Sequence, residues 1–497
     1  MPARQQFIIL PPRGLQANVV SPTPAAVEQF LTSLEFVRTS GSNRKVLAAA
    51  RVPSDIRVID SIHENGAKLV EMSPESVSAL RAREPGIRIV PVVHYFPALA
   101  PRMAVAKKFK ATAASTGTID IVVASAGDGA PVTRATVVAF TDFDARVGAQ
   151  AKTNASGVAR LALGGSSKKL ERLYVYPNGG FWNGFRKNFQ IKTGTKVALE
   201  PIALDFTDCL RHFYGNSPLT AGSGLTVGVV DTGIEPHPDL VIAGGTNTVP
   251  GEDSNDFGDN GEGHGTHCAG IIAARGTPPH GIRGIAPGVK LRSYRVFPEG
   301  DGGASNFSIA KALDRAVTDG CDLINMSLGG GPQDEATHSA IAHARANGVL
   351  VFVANGNDDR SPVSFPAADS LAMAVSAMGR KGTFPPKTTE VDDVAAPFGK
   401  DKKDFVASFS NIGSETDLTG TGVGIISTFP GGYAVMDGTS MACPSAVGAA
   451  AKLLSSLPAI TSLPRNEARS DAMAKAVLDA AKPRGFGAIF EGQGLLV

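Results

Sequence analysis

From about residue 203 the chain alternates short apolar runs with small-residue stretches of helical period, and this alternation restricts the fold more than any other feature of its 497 residues. Residues 225–230, 323–326 and 349–354 read as buried strands. Residues 309–319 and 335–347 read as helices between them; the first has apolar positions at Ile309, Leu313, Ala316 and Val317 and stops at Gly320. Strands separated by helices cannot close as hairpins, so the pattern predicts an α/β domain with a parallel sheet and helices on both faces. Ligands of such sheets bind beyond the carboxyl ends of the strands, where Asp231, Ser327 and Asn357 fall.

One stretch in this region has the form of a nucleophile's seat. In Asp437-Gly438-Thr439-Ser440-Met441-Ala442-Cys443-Pro444 the backbone breaks at Gly438 and delivers Ser440 to the start of a small-residue helix, where developing negative charge is favoured. A serine hydroxyl needs a base and a group to orient that base. Asp231-Thr232-Gly233 at a strand end and His264-Gly265-Thr266-His267 at the start of a second helix offer both.

These three motifs, in this order, resemble those of the subtilisin-like serine peptidases over roughly the last 300 residues; the Asp, His, Ser order is a property of subtilisin itself. The resemblance implies that Ser440 attacks the scissile carbonyl, His264 relays the proton, and Asp231 fixes the imidazole tautomer. His267, one turn further on, is the competing base. The Ser440 backbone N–H would supply one oxyanion donor. Asn357 of Ala354-Asn355-Gly356-Asn357 would supply the other, with a register shift left open because Asn355 replaces the usual alanine.

An extended peptide or protein substrate would lie between Gly302-Gly303-Ala304 and Ser327-Leu328-Gly329 by strand addition. Ala354, Gly356 and Ser364-Phe365-Pro366 would line the first specificity pocket, which carries no charge. The chemistry needs no cofactor. Asp239 falls where relatives place a ligand of structural calcium, its other ligands unassigned. The function expected is a serine endopeptidase working through an acyl-enzyme. A processing peptidase dedicated to one partner protein and a catalytically silent binding module are the alternatives.

Upstream, residues 1–42 read as an arm and linker with one helix at 25–37, and 43–105 as a small α+β domain with strands at 56–62, 67–71 and 87–95. Its Ala67-Lys68-Leu69-Val70, Ser73-Pro74-Glu75 and Ala79-Leu80 resemble the inhibitory propeptide of the same family, which would make the domain an intramolecular inhibitor. Residues 106–202 alternate apolar and polar positions between glycine-rich turns, the pattern of a β-sandwich. Pro131-Val132 and Thr153-Asn154-Ala155-Ser156-Gly157 resemble transthyretin-like or carboxypeptidase-regulatory-like modules. Trp182 belongs either to an exposed loop or to the sandwich's own core, and residues 380–404 form a charged insertion, a surface loop or a lid. The peptidase domain occupies 203–497.

A net charge of +2 with 19% charged residues gives no basic patch for nucleic acid or a membrane surface. No apolar run approaches 18 residues, and the first ten residues do not form a signal peptide. The expectation is a soluble protein, cytoplasmic or exported by a route without an N-terminal signal. The four cysteines, 209, 268, 321 and 443, have no metal-ligand spacing and read as reduced, with Cys268 a buried small hydrophobe beside the histidine or a target of thiol reagents.

Overall fold

The computed structural model describes residues 4–16, 56–63, 65–83, 86–109, 117–300 and 302–497. The helix expected at 25–37 and the linker at 40–43 lie outside them.

The N-terminal unit is a four-stranded antiparallel sheet of β1 (Gln5–Leu10), β2 (Arg57–Ser61), β3 (Lys68–Met72) and β4 (Arg88–Pro91) in the order β2-β3-β1-β4, with α1 (Pro74–Arg83) on one face. Residues 5–10 are therefore not part of an arm: β1 lies inside the sheet, paired with both β3 and β4. The reason is the run Phe7-Ile8-Ile9-Leu10, which carries apolar side chains to both faces and so needs cover on both. Ile9 meets Val70, Met72, Leu80 and Ile89 on the α1 side. After β4 the chain extends once more as β5 (His94–Pro97).

The middle unit is a sandwich. Ile119–Ser125 is flanked by Val158–Leu161 and Thr195–Leu199 in one sheet; Ser167–Tyr176, Thr136–Asp142 and Val147–Lys152 are central to the five-stranded other. Ile119, Ile121 and Val123 alternate inward against Val137, Leu173 and Leu199.

In the C-terminal unit β6 (Thr226–Asp231), β8 (Leu323–Met326) and β10 (Leu350–Ala354) are adjacent and parallel. Short β7 (Ala304–Ser305) and β9 (Leu328–Gly329) stand outside the main sheet. Helices α2 (His264–Ala273) and α5 (Thr439–Leu454) pack together on one face, α3 (Asn306–Thr318) and α4 (Glu335–Ala346) on the other. The nine-stranded sheet is mixed rather than wholly parallel, because Asp404–Ala407 and Val394–Phe398 add antiparallel at one edge. The second of these lies within the charged insertion, and the first begins at its last residue. The insertion is neither a free loop nor a lid: it extends the sheet and carries the sandwich, Phe185 N–H donating to Lys387 O at 2.9 Å and Arg172 pairing with Asp392.

Both preceding units share core with the C-terminal one. Ile8, Leu10, Leu69 and Val90 of the N-terminal sheet pack on Phe307, Leu313 and Ile341 of α3 and α4. Each such side chain is worth about 1.5–3 kcal/mol when fully buried, against about 0–1 kcal/mol for the half-exposed Lys311–Asp60 ion pair at the rim, so the apolar face holds the contact. Trp182 is 2% exposed and packs edge-to-face on Phe206, 5.2 Å between centroids, within the core of the C-terminal unit. It thus occupies neither an exposed loop nor the sandwich core. All four cysteines are buried and free. Among the described residues no helix is long and apolar enough to cross a membrane.

Candidate active site

Three local breaks in regular backbone converge. Asp231 closes β6, His264 opens α2 after Gly263 (φ 76°), and Ser440 sits in the first turn of α5 after Gly438 (φ 147°). Both glycines hold φ values that side-chain-bearing residues rarely adopt. The His264 imidazole Nδ1 lies 2.6 Å from Asp231 Oδ1, with both side chains 1% exposed. Burial alone would lower the His264 pKa; the Asp231 charge and hydrogen bond outweigh it and hold the pKa above its ordinary 6.5. His264 Nε2 has no hydrogen-bond partner, and Ser440 Oγ instead donates to Ser327 O at 3.0 Å. The structure brings Asp231 and His264 together, while the Ser440 hydroxyl is engaged by Ser327 O and not by His264.

His267 is excluded as that base by its surroundings. Its Nε2 donates to Ile425 O and Ala434 O at 3.1 and 3.2 Å, and burial drives its pKa down to about 3. Cys268 Sγ, together with the Asp231 and His264 donor atoms, completes a cluster within 4.8 Å, the one such group of three among the described residues. It does not fit a metal: His264 Nδ1 is taken by Asp231, and burial raises the thiol far above its ordinary pKa. The protonated thiol leans on Ser440 O at 3.4 Å, as a packed small side chain does.

The cleft in front of Ser440 is filled by the chain's own β5. It runs antiparallel to two short strands at once: Tyr95 stands opposite Ala304 and His94 opposite Ser305, while Phe96 stands opposite Gly329 and Pro97 opposite Leu328. Ala98 N–H then donates to Ser327 O at 3.0 Å. Ala98 O accepts from the Ser440 N–H at 3.0 Å and from Asn357 Nδ2. Asn357 is fixed by accepting the Thr439 N–H at 2.8 Å, whereas Asn355 turns inward to Thr416 Oγ1 at 2.9 Å. Beyond Leu99, Ala100 N–H donates to Asp437 O at 2.9 Å.

Glycines here serve different ends. A Cβ on Gly303 would stand 3.0 Å from both His94 Cβ and Tyr95 O, and one on Gly438 would stand 2.7 Å from Ala98 O, so both leave room for the bound strand. Gly302 and Gly356 instead make room for the protein itself, against Pro298 and Asn411. Ala354 is buried at the end of β10. Phe365 lies beside Tyr95, with ring centroids 6.1 Å apart, which places it three residues from Ala98 along the bound strand. Asp239 does not fit a calcium ligand: its Oδ2 accepts from Ile282 N–H and Tyr433 Oη at 2.8 and 2.9 Å, and it belongs to no described cluster of acidic side chains.

The sequence reading missed the pocket of Tyr95. Tyr95 is fully buried, its hydroxyl between Pro332 O (2.8 Å) and the Asp334 carboxylate, beneath Gly331. Asp334 also caps α4 through the Ala336 and Thr337 N–H groups. The available signal was an Asp ahead of a helical stretch, which reads as a cap and conceals the second role.

Residues 222–495 match the family model described as the subtilase family. Subtilisin BL of Lederbergia lenta is 40% identical over 231 residues, 46% of this chain and 76% of its own length. A thermostable alkaline protease of Halalkalibacterium halodurans is 36% identical over 298 residues, 60% and 72% of the two chains. Alkaline elastase YaB of a Bacillus is 40% identical over 232 residues, 46% and 54%.

Proposed function

The chain belongs to the subtilase family and is a serine endopeptidase; we propose that Asp231, His264 and Ser440 carry its chemistry and that its N-terminal unit is both its inhibitor and its first substrate, cut between Ala98 and Leu99. One observation carries this reading: the Ala98 carbonyl sits on two converging donors, the Ser440 N–H and Asn357, while residues 94–97 add a strand to both walls of the cleft.

In the reaction, Ser440 Oγ rotates from Ser327 O toward His264, attacks the Ala98 carbonyl carbon and gives its proton to Nε2. Asp231 holds the opposite nitrogen and stabilises the imidazolium. The oxyanion stays on the two donors already engaged. The C–N bond to Leu99 breaks as His264 returns the proton to the leaving amine, and water then releases the acyl group by the same relay. No step calls for a cofactor, and structural calcium would have to be sought away from Asp239. Other substrates would be proteins or peptides that enter extended once β5 leaves.

The test is intact mass over time for wild type beside Ser440→Ala. Wild type resolves into 1–98 and 99–497; the variant stays whole and, by the scale measured for the nucleophile of subtilisin itself, loses about six decades of hydrolysis. A wild-type cut elsewhere, or the same cut in the variant, would falsify the assignment.

A further inference from the structure

Leu99 to Ala104 line one side of a cavity of about 990 Å³ whose other walls come from both peptidase and sandwich. The segment changes hosts as it goes. Ala100 N–H is held by Asp437 of the peptidase, then Met103 N–H by Tyr176 Oη and Val105 N–H by Gln150 of the sandwich, both at 3.0 Å. Arg102, the fourth residue after the Ala98–Leu99 bond, points its guanidinium over the Tyr176 ring at 5.3 Å; burial there lowers its pKa, and Tyr176 and the Asp437 charge offset part of that cost.

The cavity wall is short of cations. Glu262, Asp359, Asp392, Asp393 and Asp437 line it against Arg146 and Lys152, and Asp392 is already paired with Arg172. Burial raises the Asp393 pKa well above the ordinary range, and the charges of Asp437 and Asp392 raise it further; burial raises Asp437 to about 6. Carboxylates that hold one another up in this way gain when a cation enters.

The contacts that fasten the sandwich here come after residue 98 in the chain: Trp182 in the peptidase core, Phe185 on Lys387, Arg172 on Asp392. A cut after Ala98 leaves them all in place.

We propose that this cavity is the binding site for polypeptide on the leaving side of the cleaved bond, that the sandwich remains one wall of it in the cut enzyme, and that it selects a basic side chain four residues past the cut. The proposal rests on the reading of residues 94–100 as a bound substrate.

The experiment uses the self-processed wild-type enzyme and quenched peptides His-Tyr-Phe-Pro-Ala-Leu-Ala-Pro-X-Met, X being Arg, Lys, Ala or Glu, with products read by mass. Tyr-Phe-Pro-Ala-anilide, which has no residues past the cut, is the reference. We expect kcat/KM to fall about tenfold from Arg to Glu with Lys near Arg, the scale of one partly screened charge contact, and that ratio to shrink to about twofold in Asp437→Asn, which removes the carboxylate that acts on Arg102. In cis, Arg102→Glu slows self-cleavage by a similar factor without moving the cut. Equal rates for Arg and Glu peptides overturn the proposal, as does a preference that survives Asp437→Asn. So does hydrolysis of the anilide with every peptide refused, which would mean that the cavity admits no incoming chain. Cleavage of the peptides at another bond instead strikes the substrate reading of residues 94–100, leaving the triad standing.

Discussion

The two sides of the Ala98–Leu99 bond are bound on different principles. Before the bond, β5 is held between β7 and β9 by strand pairing, and side chains alternate, Tyr95 buried and Phe96 55% exposed. Such recognition reads backbone first and tolerates many sequences. After the bond, side chains from a second unit take over: Tyr176 and Gln150 receive backbone N–H groups, and carboxylates face Arg102. On the proposed reading, the second side adds a side-chain basis for choosing to a cleft that reads backbone and the Tyr95 position.

Substitutions at the seam should disable both sides together. Asp231→Asn is expected to lower kcat by about four decades, the loss seen when a triad aspartate is neutralised. It should also move the pH profile. The imidazole must be neutral to act as base, so activity is lost as pH falls through the His264 pKa, which the Asp231 charge holds above 6.5; without that charge burial prevails and the acid limb shifts to lower pH. A kcat/KM profile with an unmoved limb would sever Asp231 from the titration.

Asn357→Ala should cost about 3 kcal/mol of barrier, or some two decades in kcat, with little change in KM, a magnitude that comes from subtilisin itself. Equal losses from Asn355→Ala would mean that damage to the fold, and not a missing donor, sets the effect. Gly303→Val should act on the strand-pairing side alone, raising KM about tenfold for long peptides by overpacking against the fourth and fifth positions before the bond. If it altered the Arg-to-Glu ratio past the cut, the two sides would not be independent.

Much of the site was legible because its chemistry is packed into short stretches. Asp231-Thr232-Gly233, the start of α2 and the start of α5 each contain both the candidate side chain and the glycine that shapes its backbone. Even the departure at Asn355 is resolved by packing, since its side chain finds Thr416 in the core. What escaped depends on distant partners. Residues 5–10 precede two prolines and look like an arm until strands some sixty and eighty residues later close on both edges. Ala98 has no local mark at all: its position is set by register against residues 304–305 and 327–329. The mixed character of the sheet likewise arises from a stretch whose charges suggested solvent.

Trp182 bears on how the molecule comes apart. Its indole is contributed by one unit and roofed by another, by Phe206 and the backbone at Gly424. Cooperative melting follows shared core rather than the order of the chain. Sandwich and peptidase should therefore lose structure in one transition, and a peptidase trimmed back to its family boundary at residue 222 would lose Phe206 together with the indole and bare the core beneath both.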